Sequence, residues 1–277
     1  MDGPWVSVIT ATIGRRATML LKLEALRAQT LPRERFEWVV VADGDDDGSL
    51  SAIAATDVPF RLRTLRLPSR SGAATARNAA AAAARGSVLL FSDDDCVPDD
   101  DNLELHWRAH AAASGPTAAV GSLTFVAANG ATTSSRPRRV GYWNLNGANS
   151  SVPAAAFAAV GGFDETLAGY GGEDVLLGYR LARSGVSFRS LPEAHAVHVG
   201  ADPAASGDLA KARAAGLNAA RIGRVVPELR GRLGVQPAWL RVKRLLLPPW
   251  GARLAGERAY VAGALEGWAE GREPGAT

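Results

Sequence analysis

The chain is poor in cysteine, in lysine and in long apolar runs. It has one cysteine, Cys96, and three lysines among its 277 residues. A single thiol cannot form an intramolecular disulfide, so the sequence predicts a protein of a reducing compartment. No stretch approaches the roughly 20 apolar residues that a bilayer-spanning helix needs, and the first residues lack the pattern of a signal peptide. We therefore expect a cytoplasmic protein.

The composition is that of an ordinary globular protein, with 47% hydrophobic, 21% charged and 6% aromatic residues. This excludes disordered and fibrous classes and allows one or two domains with a stable core. The formal net charge is +3, but residues 200–277 carry a net +5 and residues 1–199 a net −2. A basic C-terminal region suits nucleic acid, an anionic membrane surface or a phosphorylated substrate, and charge alone does not choose among them.

The first third of the chain alternates strands and helices. Residues 6–11 and 36–42 are short apolar runs rich in β-branched residues, which is typical of strands buried on both faces of a parallel sheet. A helical pattern at 17–28 lies between them, and further strands are predicted at 61–67 and 87–91. In such sheets ligands bind beyond the carboxyl ends of the strands, so the loops that follow them should converge on one crevice.

The rest of the chain is less regular. Strands are predicted at 117–126 and 186–191, with short helices between them, and residues 129–142 are polar and without periodicity, which predicts a long loop. After Gly200 only helical patterns remain, and prolines interrupt them. We interpret residues 201–277 as a helical C-terminal appendage.

Three adjacent carboxylates, Asp93 to Asp95, directly follow a predicted buried strand. Neighbouring carboxylates repel one another and attract a cation, and hard oxygen ligands suit Mg²⁺ or Mn²⁺. We therefore favour a metal site there over simple helix capping.

Two other acidic clusters have a structural explanation that needs no ligand. Residues 43–49 follow a strand, and turn chemistry alone explains them, with Asp47 or Ser49 capping a helix. Glu173 and Asp174 open a helix behind two glycines. They are either ordinary residues of a helix N-terminus or a site in which a carboxylate, kept ionised by the helix end, acts as a general base.

Two pairs of histidines offer further candidate ligands. His106 and His110 lie four residues apart on a helix predicted from residue 98, but no third ligand is near them in the sequence, so we interpret them as surface residues. His198 with Asp95 would complete an oxygen and nitrogen site for a divalent ion. The sequence favours this and an unligated His198 equally.

The order of the motifs resembles that of family 2 glycosyltransferases with a GT-A fold, over roughly residues 5–200. The matching motifs are VSVITATIGR (6–15), VVVADGDDDGS (39–49), SGAATARNAA (71–80), LLFSDDDCVP (89–98) with its D-x-D element, and GGFDE (161–165) followed by GGED (171–174). The resemblance implies an α/β fold with a mainly parallel sheet flanked by helices. It places a nucleotide-sugar-binding half at 1–112 and an acceptor-binding half with the catalytic base at 113–200.

The resemblance also implies roles for individual residues. The catalytic pair is Asp174, as the base, and Glu173, which helps to bind the acceptor. The remaining residues that the resemblance assigns are Thr12, Asp43, Arg77, Asp93 and Asp94 at the nucleotide sugar, Asp95 and His198 at Mn²⁺ or Mg²⁺, and Trp143, Asn149, Ser150 and Gly172 at the acceptor.

The implied reaction moves a sugar from a nucleoside diphosphate sugar, with UDP expected from family frequency alone, to a hydroxyl of a glycan, glycolipid or small molecule. A single base on the far side of the anomeric carbon implies inversion. The departures from the family pattern bear on the nucleotide base: Ala42 replaces the usual first aspartate of the D-D-G-S motif, and Arg70 stands where an asparagine is usual.

Two other functions share parts of this pattern. A sugar-phosphate nucleotidyltransferase has a similar α/β architecture, but the glycine-rich loop it needs after the first strand is missing, because residues 12–15 read Thr-Ile-Gly-Arg. A non-catalytic carbohydrate-binding or nucleotide-sugar-binding protein would not need intact acidic motifs.

Residues 239–261 interleave arginine and lysine with leucine and tryptophan. The segment is either a peripheral contact with the inner face of an anionic membrane or a helix packed on the catalytic domain with its arginines in solvent. Nucleic acid is not expected as a partner, since the sequence has no recognisable module that reads it.

Overall fold

The structure is a computed structural model that describes residues 5–44, 47–167, 169–200, 208–248 and 254–270. The chain falls into two compact units. Residues 1–164 with 177–202 form the first, here called the sheet unit, and residues 165–176 with 203–277 form the second, here called the helical unit. Residues 165–176, expected in the acceptor half, thus group with the C-terminal helices. The two expected halves at 1–112 and 113–200 contribute strands to one sheet.

The strands of the sheet unit belong to one sheet. They are β1 (Val6–Thr12), β2 (Phe36–Ala42), β3 (Arg61–Arg66), β4 (Val88–Phe91), β5 (Cys96–Pro98), β6 (Thr117–Val126), β7 (Thr132–Ser135), β8 (Ser150–Pro153) and β9 (Ser187–Val199). Their order is β3-β2-β1-β4-β8-β6-β9-β5, with β7 paired to β6. The first four strands in this order are mutually parallel, as are β6 and β9, while β5, β7 and β8 join antiparallel. The predicted α/β fold is confirmed.

Helices connect the strands and make up the described part of the helical unit. They are α1 (Arg16–Arg27), α2 (Ser49–Ala54), α3 (Ala73–Ala83), α4 (Asn102–Ala111), α5 (Ala154–Ala159), α6 (Glu173–Arg183), α7 (Leu209–Val225), α8 (Arg230–Leu233), α9 (Pro237–Leu246) and α10 (Ala255–Ala269). Among the described residues, no helix combines the length and apolar character that crossing a bilayer requires.

The sheet is buried on both faces, and its central strands β1, β2 and β4 are mostly apolar and buried at almost every position. Successive side chains of a strand point to opposite faces. Val8 and Val40 pack into one core with α1 and α2, whereas Ile9 and Val39 pack into the other with α3. The continuous apolar runs of β1 and β2 therefore predicted two-sided burial correctly.

The helical unit is built on a close approach of α7 and α10. A Cβ placed on Gly216 would lie 2.0 Å from the carbonyl oxygen of Tyr260, and one on Gly263 would lie 1.9 Å from that of Arg213. Only glycine permits such backbone contact. Around this crossing lies a small apolar core of Ala219, Ala220, Val235, Leu240, Val261 and Ala264.

Three elements differ from the sequence-based prediction. β7 lies inside the predicted loop 129–142, and its exposed residues pair with β6 through the backbone, which leaves no apolar pattern to detect. The helix expected from residue 98 begins at Asn102, because residues 96–98 form β5 against β9. β9 itself continues to Val199, well beyond the predicted end at 191.

The prediction that His106 and His110 are surface residues is wrong. His106 is fully buried, with Nδ1 2.7 Å from the hydroxyl of Ser151 and Nε2 3.1 Å from Oδ1 of Asn149. His110 Nε2 lies 2.8 Å from the same hydroxyl. Asn149 donates its amide hydrogens to the carbonyl oxygens of Ser122 and Ala194, so its Oδ1 must accept from Nε2–H of a neutral His106.

This network predicts a specific dependence of stability on pH. Burial lowers the pKa of His106 to about 3 and that of His110 to about 4. Below pH 6.5 the unfolded chain binds protons that the folded chain does not, so the free energy of unfolding falls as pH falls. Between pH 7 and pH 5 His106 should account for about 2 kcal/mol of that loss.

Urea denaturation of the wild type and of His106→Gln at both pH values measures this contribution. The variant should lose about 2 kcal/mol less than the wild type between pH 7 and pH 5. Between pH 7 and pH 8 the two proteins should show the same flat dependence. Parallel losses down to pH 5 would contradict the assignment of a neutral buried His106.

Candidate active site

The acidic turn, residues 93–95, lies between β4 and β5 at the carboxyl end of the parallel strands. The turn is closed by a hydrogen bond of 2.9 Å from the Cys96 amide to the Asp93 carbonyl. β5 then pairs antiparallel with β9 so that Cys96 is opposite His198. This pairing brings His198 Nε2 to 3.2 Å from Oδ1 of Asp95. Two residues about 100 positions apart in the sequence thus meet through strand register.

Two arginines contact the carboxylates of the acidic turn. Arg77 Nη2 donates to Asp93 Oδ1 at 2.7 Å. Arg15 Nη1 donates to Asp95 Oδ2 at 2.7 Å, and its Nε lies 3.4 Å from Asp94 Oδ1. Burial would raise the pKa of Asp93, but Arg77 and Lys22 hold it below its ordinary value. Burial raises the pKa of Asp94, against the effects of a Thr12 hydrogen bond and of Arg15.

A third cation, Lys22, lies beneath the turn. Its Nζ is fully buried and donates to the Ser92 carbonyl at 2.9 Å, the Ser92 hydroxyl at 2.8 Å and the Asp93 carbonyl at 2.5 Å. Burial lowers the pKa of Lys22, and the negative groups around it, Asp93 to Asp95 among them, oppose that shift. The ammonium group therefore holds the backbone of the acidic turn from inside the protein.

Arg77 reaches Asp93 past the backbone of Gly147. A Cβ on Gly147 would lie 2.1 Å from Arg77 Nη2 and 2.4 Å from its Cζ, so no larger residue fits without moving the guanidinium group. Phe163 also lies against Arg77, with the guanidinium carbon 5.4 Å from the ring centroid. Arg77 is therefore fixed on two sides, which suits a residue that has to hold a defined position beside a ligand.

The predicted nucleotide contacts Thr12 and Asp43 are buried and hydrogen-bonded within the protein. The Thr12 hydroxyl donates to Asp94 Oδ2 at 2.8 Å. Asp43 accepts from the backbone amides of Ser71 at 2.6 Å and Gly72 at 2.8 Å, at the start of α3. Both residues thus shape the edge of the crevice, and their contact with a nucleotide base stays a prediction.

Asp47 fits the turn interpretation of the first acidic cluster. Its carboxylate accepts from the backbone amide of Ser49, the first residue of α2, at 3.2 Å and from that of Arg16, the first residue of α1, at 2.9 Å. It therefore joins the N-termini of two helices. Asp45 and Asp46 lie outside the described residues.

Asp95, Cys96 and His198 are candidate ligands for a metal ion. Each offers one donor atom, and the three donor atoms lie within 4.8 Å of one another. His198 is nearly buried, and within the described structure its Nδ1 has no hydrogen-bond partner. Burial raises the pKa of the Cys96 thiol well above its ordinary value, so the sulfur is protonated near neutral pH. The available donors are therefore a carboxylate oxygen and an imidazole nitrogen, without a thiolate. This donor set fits Mn²⁺ or Mg²⁺.

The predicted acceptor residues of the sheet unit differ in exposure. Trp143 is exposed, so a sugar ring could stack on its indole. Asn149 and Ser150 are buried: Asn149 belongs to the His106 network, and the Ser150 hydroxyl accepts from the Asn146 amide at 3.1 Å. Both residues thus have a structural role, and their contact with the acceptor stays a prediction.

The predicted catalytic pair begins α6, and its first turn belongs to the helical unit. Glu173 and Asp174 are the first two residues of that helix. The glycines before them, at 169, 171 and 172, all have positive φ. Asn218 of α7 donates to the Gly171 carbonyl at 2.9 Å, and a Cβ on Gly172 would lie 2.8 Å from Ile222. The loop that leads to Asp174 is therefore packed on α7.

A family model provides the decisive comparison. The model described as glycosyl transferase family 2 matches residues 7–164, which is more than half of the chain. The chain belongs to glycosyl transferase family 2. A second model, described as the N-terminal domain of galactosyltransferase, matches residues 131–200 of this glycosyltransferase. The resemblance in the motifs is confirmed.

Solved glycosyltransferase structures share the fold. The mannosyltransferase PcManGT from Pyrobaculum calidifontis, in complex with GDP-Man and Mn²⁺, is 20% identical, with 97% of this chain and 88% of that one covered at a TM-score of 0.65. S. aureus TarS 1-349 in complex with UDP is 18% identical, with 97% and 92% covered at a TM-score of 0.60. At these identities the likeness is one of fold.

A short stretch is much more similar to a curated protein. Over 45 residues the glycosyltransferase is 56% identical to validoxylamine A glucosyltransferase from Streptomyces hygroscopicus subsp. jinggangensis (strain 5008). The aligned stretch covers 16% of this chain and 10% of that protein. It therefore supports the family and says little about the substrates of the whole chain.

Three residues at the site carry charge or a donor atom that sequence reasoning did not use: Arg15, Lys22 and Cys96. Lys22 had a detectable signal, because it stands among Met19, Leu23 and Leu26 on the buried face of α1, where an apolar residue is expected. Arg15 and Cys96 gave no such signal, since their roles depend on the turn and on the β5–β9 pairing.

Lys22→Met should destabilise the protein, because it removes the hydrogen bonds that Nζ donates to Ser92 and to the Asp93 carbonyl and takes a cation from beneath three carboxylates. We expect the free energy of unfolding to fall by about 2 to 4 kcal/mol. Urea denaturation at pH 7 measures it. Lys211→Met, at an exposed position of α7, is the matched control and should stay within about 0.5 kcal/mol of the wild type. A stable Lys22→Met protein would refute the role given to the lysine.

Proposed function

We propose that this glycosyltransferase moves a sugar from a nucleoside diphosphate sugar to an acceptor hydroxyl with inversion, in a metal-dependent reaction with Asp174 as the general base. The observation that carries the proposal is the acidic turn at the carboxyl end of the parallel strands, with Asp95 beside His198 and with Arg15 and Arg77 against its carboxylates. Cations and carboxylates at one edge of a sheet are the chemistry that a diphosphate and its metal require.

The donor is best accounted for as a nucleoside diphosphate sugar. Arg15 and Arg77 can each pair with a phosphate oxygen through a planar guanidinium group, and Arg77 is fixed in position by Gly147. The fold neighbours include enzymes in complex with GDP-Man, UDP and UDP-GlcNAc. UDP remains the preferred nucleotide on family frequency.

Asp95 and His198 would hold the divalent ion, for which Mn²⁺ or Mg²⁺ fits the donor set. When bound, the ion supplies positive charge that stabilises the leaving diphosphate. Arg15 already pairs with Asp95 and Asp94, so its guanidinium group lies in the same region and can pair with a phosphate oxygen of the donor. Asp93 is held by Arg77 and, in the proposed site, faces the nucleotide sugar.

Asp174 is proposed to take the proton of the attacking hydroxyl. It lies in the first turn of α6, where the helix dipole favours a negative charge and so keeps the carboxylate ionised. One base acting once, without an enzyme nucleophile, gives a single displacement and inverts the anomeric carbon. Glu173 beside it would bind the acceptor, and the backbone of Gly172 would contact it.

The acceptor is a molecule that carries a free hydroxyl group and a ring that can stack on an aromatic side chain. A glycan, a glycolipid or a sugar-like small molecule fits this description. The exposed indole of Trp143 supports a sugar ring on the acceptor side.

The base assignment is tested by release and transfer of a labelled sugar from UDP-sugar and GDP-sugar donors with Mn²⁺. Asp174→Asn should lower kcat by about 10²- to 10⁴-fold, the usual contribution of a general base, with nucleotide binding retained. Asp57→Asn, at an exposed position of the sheet unit, is the matched control and should keep the wild-type rate. If Asp174→Asn turns over as fast as this control, Asp174 is not the base.

A further inference from the structure

Helix α9 presents an apolar face to solvent. Its one buried residue, Leu240, packs into the core of the helical unit with Val261 and Ala264. Four large apolar side chains on the same helix are exposed, by 49% at Trp239, 45% at Val242, 86% at Leu245 and 69% at Leu246. An ordinary surface helix exposes its polar face, so α9 has the opposite arrangement.

The four exposed side chains share one side of the helix. At 3.6 residues per turn, positions 239, 242, 245 and 246 fall on the side opposite Leu240, together with Ala238. Packing within the unit therefore uses one narrow stripe of α9 and leaves a continuous apolar surface. We call this surface the α9 face. A contiguous apolar patch of this kind marks an interaction site.

The ionisable residues that α9 itself carries are all positive. Within α9 the ionisable residues are Arg241, Lys243 and Arg244, and the helix contains no aspartate or glutamate. Arg241 and Arg244 are exposed, whereas Lys243 pairs with Glu257 of α10. Apolar side chains flanked by exposed cations are complementary to a surface with an apolar interior and an anionic rim.

A cavity of about 510 Å³ adjoins this helix within the helical unit. It is lined by Arg244, Leu247, Arg258, Val261, Ala262, Leu265 and Glu266. Arg258 also donates to the Pro248 carbonyl at 3.0 Å, at the end of the same segment. The cavity therefore lies on the side of α9 that packs within the unit, opposite the α9 face.

We propose that α9 docks the protein on an anionic phospholipid bilayer, with Trp239, Val242, Leu245 and Leu246 in the interfacial layer and Arg241, at the edge of this face, at the lipid phosphates. A second copy of the chain fits this surface less well. A symmetric contact would bring the cations of one α9 against those of the other, with no acidic residue in either helix to pair with them. The proposal concerns location and is independent of the sugar-transfer chemistry.

Co-sedimentation of the full-length protein with vesicles tests the proposal. The probes are vesicles of phosphatidylglycerol and phosphatidylcholine in equal parts, and vesicles of phosphatidylcholine alone. The wild type should sediment with the anionic vesicles and stay in solution with the neutral ones. The double variant with Leu245→Ser and Leu246→Ser should weaken binding at least tenfold, because it removes roughly the transfer free energy of two leucine side chains. Arg241→Gln should weaken it about fivefold.

The matched control is Val225→Ser, which removes an apolar side chain that is 76% exposed at the end of α7, outside the α9 face. It should bind as the wild type does. Failure of the wild type to bind anionic vesicles, or equal binding by the double leucine variant, would overturn the proposal. So would a wild-type dimer in light scattering that the double variant converts to a monomer, because a second copy would then cover the α9 face.

Discussion

Three consecutive carboxylates at the end of a buried strand are the constraint on which the site depends. Like charges this close disfavour one another's ionisation, and burial adds to that cost. Cations from separate elements of the fold offset this repulsion: Arg15 before α1, Lys22 within α1 and Arg77 within α3. Lys22 acts from below on the backbone, whereas the two arginines act on the side chains. The β-α-β units therefore also place three cations around the three carboxylates. A bound metal ion would add to the positive charge that these residues already supply.

The C-terminal helices do more than extend the chain. The loop that leads to Glu173 and Asp174 groups with them, and α7 contributes Asn218 and Ile222 to hold its glycines. The basic excess at residues 200–277 thus belongs to a unit that also carries the proposed base. The same unit presents the α9 face. The loop that leads to the proposed base and the helix proposed to contact the membrane therefore belong to one unit.

Much of the fold followed from local pattern, and most of the errors concern long-range pairing. The apolar runs of β1 and β2 predicted a two-sided core correctly, because a run without polar alternation indicates burial on both faces. β5 and β7 escaped detection because three or four residues paired through the backbone leave no periodicity. His106 was misjudged because its partners, Ser151 and Asn149, lie more than 40 residues away. For the same reason the sequence could not decide between His198 as a ligand beside Asp95 and an unligated His198, whereas the β5–β9 register brings the two residues together.

The central claim is that Asp95 is required for metal-dependent binding of a nucleoside diphosphate. Thermal unfolding measures it directly, because a ligand that binds the folded state raises Tm by an amount that increases with its affinity and concentration. With UDP or GDP, Mn²⁺ should raise the Tm of the wild type and of Asp57→Asn well beyond the shift from either ligand alone. Asp95→Asn should lose this Mn²⁺-dependent increment, whatever its own starting Tm. An Asp95→Asn protein that keeps the full increment would contradict the account.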